Sequence, residues 1–250
     1  FLGPVLLFVI SLIKGTGNLF STYRLCFAFL GIPALITIAL VVFSKVKYPN
    51  PEIFEKEKEE KKEFHFQKSF VYYMIAICLF AFGFADFTLI TLHAAKMHVF
   101  PEATLSLLYA AAMAVDAFAA LFFGWLFDRI GLAALILSTL CSAFFSCFIF
   151  LSGTPWMIGV GIILWGIGMG AQESIMKAAV SKIIPKSMRS SGFGIFETGF
   201  GIAWFLGSWL LGALYDVNPV YLVIVSVVTL MLAIVFYVIC IRRSEGEKVS

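Results

Sequence analysis

Residues 219–241, PVYLVIVSVVTLMLAIVFYVICI, contain no charged side chain. A helix needs about 20 such residues, at ~1.5 Å rise each, to cross the hydrocarbon core of a bilayer. Comparable runs occur over 21–44, 70–95, 103–127, 132–152, 156–181 and 190–215, and an incomplete one opens the chain at 1–13. Strands of a membrane barrel would be short and alternating, and these runs do not alternate. In lipid a helix satisfies its own backbone groups, so the pattern predicts an all-α polytopic membrane protein. Composition agrees: of 250 residues, 61% are hydrophobic and 13% charged, against roughly half and a quarter in soluble domains.

The separators carry turn signals, among them Phe100-Pro101, Ser152-Gly-Thr-Pro155, Pro185 and Asn218-Pro219. One separator is longer and strongly polar. Residues 45–69, KVKYPNPEIFEKEKEEKKEFHFQKS, place Glu55, Glu59, Lys58 and Lys62 at helical spacing, which suits a solvated connector. Lys and Arg cluster on alternate ends of the runs. One side collects fourteen, in 45–69, at Arg129, Lys182, Lys186 and Arg189, and at Arg242, Arg243 and Lys248. The other side has Lys14, Arg24 and Lys96. The basic side is therefore expected to be cytoplasmic, with the C-terminus inside and the protein in the cell membrane. The five cysteines lie in apolar runs without a CxxC pair and read as packing residues. Phe1 opens on membrane-like sequence with no leader pattern, so the chain reads as starting inside a helix.

Four acids interrupt the apolar runs: Asp86, Asp116, Glu173 and Glu197, each in a different one. The runs 132–152 and 219–241 carry no charge, nor does 25–44. A charged side chain facing lipid costs at least ~2.5–3.5 kcal/mol, so these acids should face protein or water. The pattern predicts a cavity lined by the four acid-bearing helices, with the charge-free helices outside. Counting along the helices puts Glu197 roughly 10 Å, Glu173 roughly 12 Å and Asp116 roughly 16 Å from the cytoplasmic ends, while Asp86 falls in the outer half. Lys177, four residues after Glu173, shares its helix face and is its expected partner.

GWLFDRIG, residues 124–131, resembles the loop signature that joins the eighth and ninth helices of major facilitator superfamily transporters. Gly124 and Gly131 suit close approach and a tight turn, and Asp128, next to Arg129, suits a helix N-terminus. The basic residues that usually follow are Leu132, Ala133 and Ala134 here. MRSSGFGIFETGFGIAWFLGSWLLGALYD, residues 188–216, is similar to that family's eleventh helix, with Arg189 at its cytoplasmic start and glycines 192, 194, 199, 201, 207 and 212 keeping packing faces free. Residues 23–43 resemble its sixth helix. The resemblance implies a six-helix C-terminal bundle over 70–243, the last one and a half helices of an N-terminal bundle over 1–43, a cytoplasmic central loop at 44–69 and a tail at 244–250. In this register the acid-bearing helices are the seventh, eighth, tenth and eleventh, which line the cavity in that family. Leu2-Gly3-Pro4 resembles part of an export-associated motif, but Leu7 and Phe8 stand where paired glycines are expected.

The function implied is alternating-access transport of a small organic molecule, proton-coupled, with export slightly favoured. A carboxyl withdrawn from bulk water is the usual vehicle for loading and releasing protons, and Glu197 leads as coupling candidate, followed by Asp116, Glu173 and Asp86. Trp165, Trp204 and Gln172 are candidates for lining the substrate path. Partners expected are substrate, protons, the lipid bilayer and the N-terminal half of the same transporter; no nucleic acid and no cofactor are implied. A non-transporting receptor of the same fold is the alternative. No HExxH, GxSxG or P-loop pattern points to an enzyme, and three scattered histidines do not make a metal site. His93 and His98 near the outer ends, and His65 in the connector, read as solvated.

Overall fold

The computed structural model describes residues 3, 5–6, 8–10, 19–49, 68–184 and 188–249. Among them lie helices α1 (Leu19–Lys47), α2 (Lys68–Gly83), α3 (Phe87–Lys96), α4 (Glu102–Ile130), α5 (Ala133–Ser142), α6 (Phe145–Phe150), α7 (Pro155–Ile183), α8 (Arg189–Val217) and α9 (Pro219–Val249). They make 7 stretches long and apolar enough to cross a membrane, with α2–α3 and α5–α6 each forming one interrupted span. The protein is an all-α, multi-pass membrane protein. Leu2, Pro4, Leu7, Lys14, residues 50–67 of the connector with its glutamates and His65, and Pro185 and Lys186 lie outside the described residues.

Start and stop signals sit where backbone chemistry requires them. Proline occupies the first turn of α7, where its missing N–H costs nothing. Gly131 ends α4 with φ 63°, a left-handed conformation that a side chain would resist, and its N–H returns to the Phe127 carbonyl at 2.9 Å.

The six spans after the connector form two triplets, α2–α3/α4/α5–α6 and α7/α8/α9. The first span of each triplet packs between the later spans of the other: α2 against α8 and α9, α7 against α4, α5 and α6. The helices α8, α2, α7 and α4 thereby make one contiguous wall, with α5–α6 and α9 against its back. All four acid-bearing spans belong to that wall. Of the charge-free spans, α1 is 6% and α9 39% buried, so only α5–α6 departs from the lipid-facing position expected. Span α5–α6 is 56% covered by protein, whereas α4 and α8 are each 17% covered. Two short segments braced across α7 and α9 bury more of themselves than long helices flanking an open face.

Glycines set the tightest contacts. A Cβ on Gly166 would lie 2.9 Å from the Ala112 carbonyl oxygen, and one on Gly170 would overlap the Asp116 carbonyl oxygen. This Gly166-x-x-x-Gly170 stripe brings α7 and α4 backbone to backbone. Gly207 similarly admits the Phe82 backbone of α2. In α8 only Gly192, Gly199 and Gly207 meet neighbours; Gly194, Gly201 and Gly212 face open space, as does Gly124 in α4. Those four glycines keep no helix at close range among the described residues. Cys26 and Cys240 are buried, while Cys141 is exposed and does not fill a core position.

Candidate functional site

The wall carries its charge as a chain across three helices. The α4–α7 glycine contact is at Asp116 itself, so that carboxyl comes within electrostatic range of Glu173 on α7. Its Oδ1 is buried without a hydrogen-bond partner. One turn further along α7, Lys177 reaches across to α8 and pairs with Glu197, Nζ to Oε1 3.2 Å. That partner differs from the expected Glu173. Spacing along one helix permits the Glu173–Lys177 pair, but the α7–α8 crossing offers Lys177 a closer carboxylate. Glu173, Lys177 and Glu197 are all exposed, and Gly194 and Gly201 on either side of Glu197 add nothing that would cover them.

Gln172 and Trp165, expected to line the path, face the opposite way. Gln172 is 1% exposed; its Nε2 donates to Thr139 Oγ1 at 3.2 Å and its Oε1 accepts from the Tyr237 hydroxyl at 3.4 Å. Nearby, Tyr73 donates to the Met176 carbonyl at 3.0 Å. This buried network ties α2, α5, α7 and α9 together, and the buried polar groups are satisfied as a dry interior demands. By fixing the rotation of α7 at residue 172, it leaves Glu173, about 100° further round, on the open face. Trp165 is 3% exposed and donates its indole N–H to the Ala85 carbonyl at 2.9 Å.

Ala85 lies in the interruption between α2 and α3. The first span is therefore not a continuous helix, a departure from the uniform run read over 70–95. Residues 84–86 leave the helical path, and Asp86 restarts it as the N-cap of α3, accepting from the Thr88 N–H at 2.9 Å and the Thr88 hydroxyl at 3.0 Å through Oδ1. Rings gather at the break. Phe84 lies 5.8 Å from Trp165 and 6.4 Å from Trp204, and Phe87 lies 5.1 Å from Trp165 and 4.7 Å from Tyr109. Trp204, unlike Trp165, is only partly buried.

At the end of α3, His93 is 4% exposed and is not solvated as expected. Its Nδ1 lies 3.0 Å from the Tyr215 hydroxyl, and Phe150 packs edge-on at 5.2 Å. Position near the end of a run suggests water, but α8 and α6 close over this residue. His98 is exposed, with φ 52°. Lys96 caps the cluster, 3.8 Å from Asp216 and 4.9 Å over the Tyr215 ring.

At the turn between α4 and α5, Asp128 is exposed, and the following helix has no side-chain cap, so Asp128 does not serve its N-terminus. Arg129 stacks on Trp125 at 4.0 Å. Arg189 donates to the Ser181 carbonyl at 2.8 Å, tying the start of α8 to the end of α7.

The residues that reading by sequence missed are Phe84, Phe87 and Tyr109 at the break, and Thr139 and Tyr237 behind Gln172. Only the Gly83…Asp86-x-Thr88 pattern, a helix end followed by a capping pair, signals any of them.

Two triplets of membrane-spanning helices, with acids on one shared wall, define a polytopic bundle of the kind built from internal repeats. The family model described as Major Facilitator Superfamily matches residues 75–250, and the chain belongs to that superfamily. It is 29% identical over 240 residues to uncharacterized proteins of Mycobacterium bovis (strain ATCC BAA-935 / AF2122/97) and of Mycobacterium tuberculosis strains CDC 1551 and H37Rv. Those alignments cover 94% of this chain and 57% of each relative, so the chain spans somewhat over half of their length. No solved structure matches it.

Proposed function

We propose that the protein at full length is a secondary transporter working by alternating access, proton-coupled and carrying a small organic molecule. Residues 70–243 are the second bundle, 1–43 the end of the first and 44–69 the cytoplasmic loop between them, with the 244–250 tail also cytoplasmic in the cell membrane. The observation that carries this reading is the Lys177–Glu197 pair on an uncovered face, 3.2 Å across α7 and α8. Lys177 has a second carboxylate within one turn, Glu173, which in turn lies in the field of Asp116.

Such an arrangement offers Lys177 two carboxylate partners, one on α8 and one on its own helix. With Glu197 ionised, Lys177 holds α8 to α7. A proton on Glu197 removes the attraction, and Lys177 then turns to Glu173 on its own helix, releasing α8. The proton thereby biases a helix–helix contact of the wall, as a coupled carrier requires.

The test needs no substrate. The full-length chain with its native cysteines replaced by Ala and Gly201→Cys added, a position open to space beside Glu197, is reconstituted and labelled with a membrane-impermeant maleimide. Labelling from opposite sides should interchange when the pH gradient is reversed, and Glu197→Gln should abolish the interchange. Labelling confined to one side under every gradient would defeat alternating access.

A further inference from the structure

We propose that the interrupted span forms the substrate-recognition tier, and that it takes an organic monocation with a flat apolar body. Helix α3 contains 10 residues, so at ~1.5 Å each Asp86 stands about 15 Å from the outer end, near the middle of a ~30 Å core. The charge at Asp86 exceeds what capping needs. Ser, Thr or Asn caps a helix as well as Asp does, and both hydrogen bonds that Asp86 accepts fall on Oδ1. Oδ2 has none among the described residues. Neither ion pair found there, Lys96–Asp216 or Lys177–Glu197, includes Asp86. The positive end of the α3 dipole offsets part of the charge. A mid-membrane carboxylate with a free oxygen still calls for a cation.

The rings determine what kind of cation. Phe84 and Trp165 are nearly fully buried and form the backing. Trp204 is partly buried and Tyr109 is 38% exposed, so these two present ring surface at the edge of the break. A small hydrated ion would gain little from such a wall, whereas an aromatic cation gains both stacking and attraction to the negative ring faces. The break is braced rather than slack, by the Trp165–Ala85 hydrogen bond at 2.9 Å and by Gly207 against the Phe82 backbone. This tier lies apart from the Lys177–Glu197 pair in the cytoplasmic half, so substrate and proton occupy different levels of one wall.

The experiment compares two probes of the same ring system, N-methylacridinium and neutral acridine at pH 8, by fluorescence titration of the purified full-length protein. The cation should bind saturably and at least ~tenfold more tightly than acridine, the factor expected for one compensated charge. Asp86→Asn keeps the cap and removes the charge. It should erase that preference while leaving acridine binding as it was. Trp204→Leu should weaken both probes. Unchanged N-methylacridinium binding in Asp86→Asn, or loss of both probes together, would overturn the proposal. Its meaning as a substrate site rests on the transporter reading, but the two fail separately. A protein that alternates by maleimide labelling yet ignores the cation refutes only the substrate class; one that binds it and never alternates refutes only transport.

Discussion

Gly170→Ala tests the contact that brings Asp116 to Glu173. A Cβ at 170 would overlap the Asp116 carbonyl oxygen and stand 2.8 Å from its carbonyl carbon and 2.9 Å from the Ala120 nitrogen. All three are backbone atoms of α4, so no side chain can rotate away. Restoring ordinary contact distances requires α4 and α7 to separate by roughly 1 Å, and a gap of that size forfeits a quarter to a half of the dispersion energy along the seam. The Gly166 contacts with Ala112 and Val115 loosen with it. Overpacking of this kind costs ~1–3 kcal/mol where neighbours yield, and the rigid backbone puts Gly170→Ala at the upper end. For a chain this long the midpoint should fall by about 6–12 °C. Gly194→Ala and Gly201→Ala serve as controls, since nothing lies within 4 Å of either position. There the alanine should be neutral or slightly stabilising, by its higher helix propensity. The assay is thermal unfolding in one detergent, followed by size-exclusion recovery. If Gly170→Ala melts with the two controls, the α4–α7 seam is not packed as described.

Other outcomes follow from named contacts. Glu197→Gln should turn Lys177 to Glu173 and lower gradient-driven flux, and Glu197→Gln with Lys177→Gln should not recover it; recovered flux in proteoliposomes would make the pair a mere counterion arrangement. Trp165→Phe keeps most ring packing and removes the hydrogen bond to the Ala85 carbonyl, costing ~1–2 kcal/mol because that acceptor stays buried; an unshifted unfolding midpoint would refute this brace. Asp128→Asn should slow turnover while leaving equilibrium substrate affinity nearly unchanged, since Asp128 is exposed in the last turn of α4, about three turns beyond Asp116; a large affinity loss measured by binding would place the turn in the site.

Sequence by itself determined the spans, their helical nature and which of them carry acids, because lipid allows one local solution to backbone hydrogen bonding and charges a heavy penalty for ions. Those are rules of single residues and single helices, and they hold wherever the helix ends up. Hence the acid-bearing spans could be grouped before any contact was known. Rotation and partnership were beyond that reading. Gln172 and Glu173 are neighbours in the chain, yet one is locked behind the wall by Thr139 and Tyr237 and the other stands on its open face. Lys177 pairs across the bundle with Glu197 rather than along its helix, and His93 is covered by Tyr215 and Phe150 at a depth that suggested water. A hydropathy run cannot reveal the break at 84–86 either, for Phe84 and Ala85 are as apolar as their neighbours. It persists because Trp165 from another helix accepts the task of satisfying the Ala85 carbonyl that a continuous helix would have paired internally. Interhelical partners of this kind are set by the crossing of backbones at small residues such as Gly170 and Gly207, and only the assembled bundle fixes which ones meet.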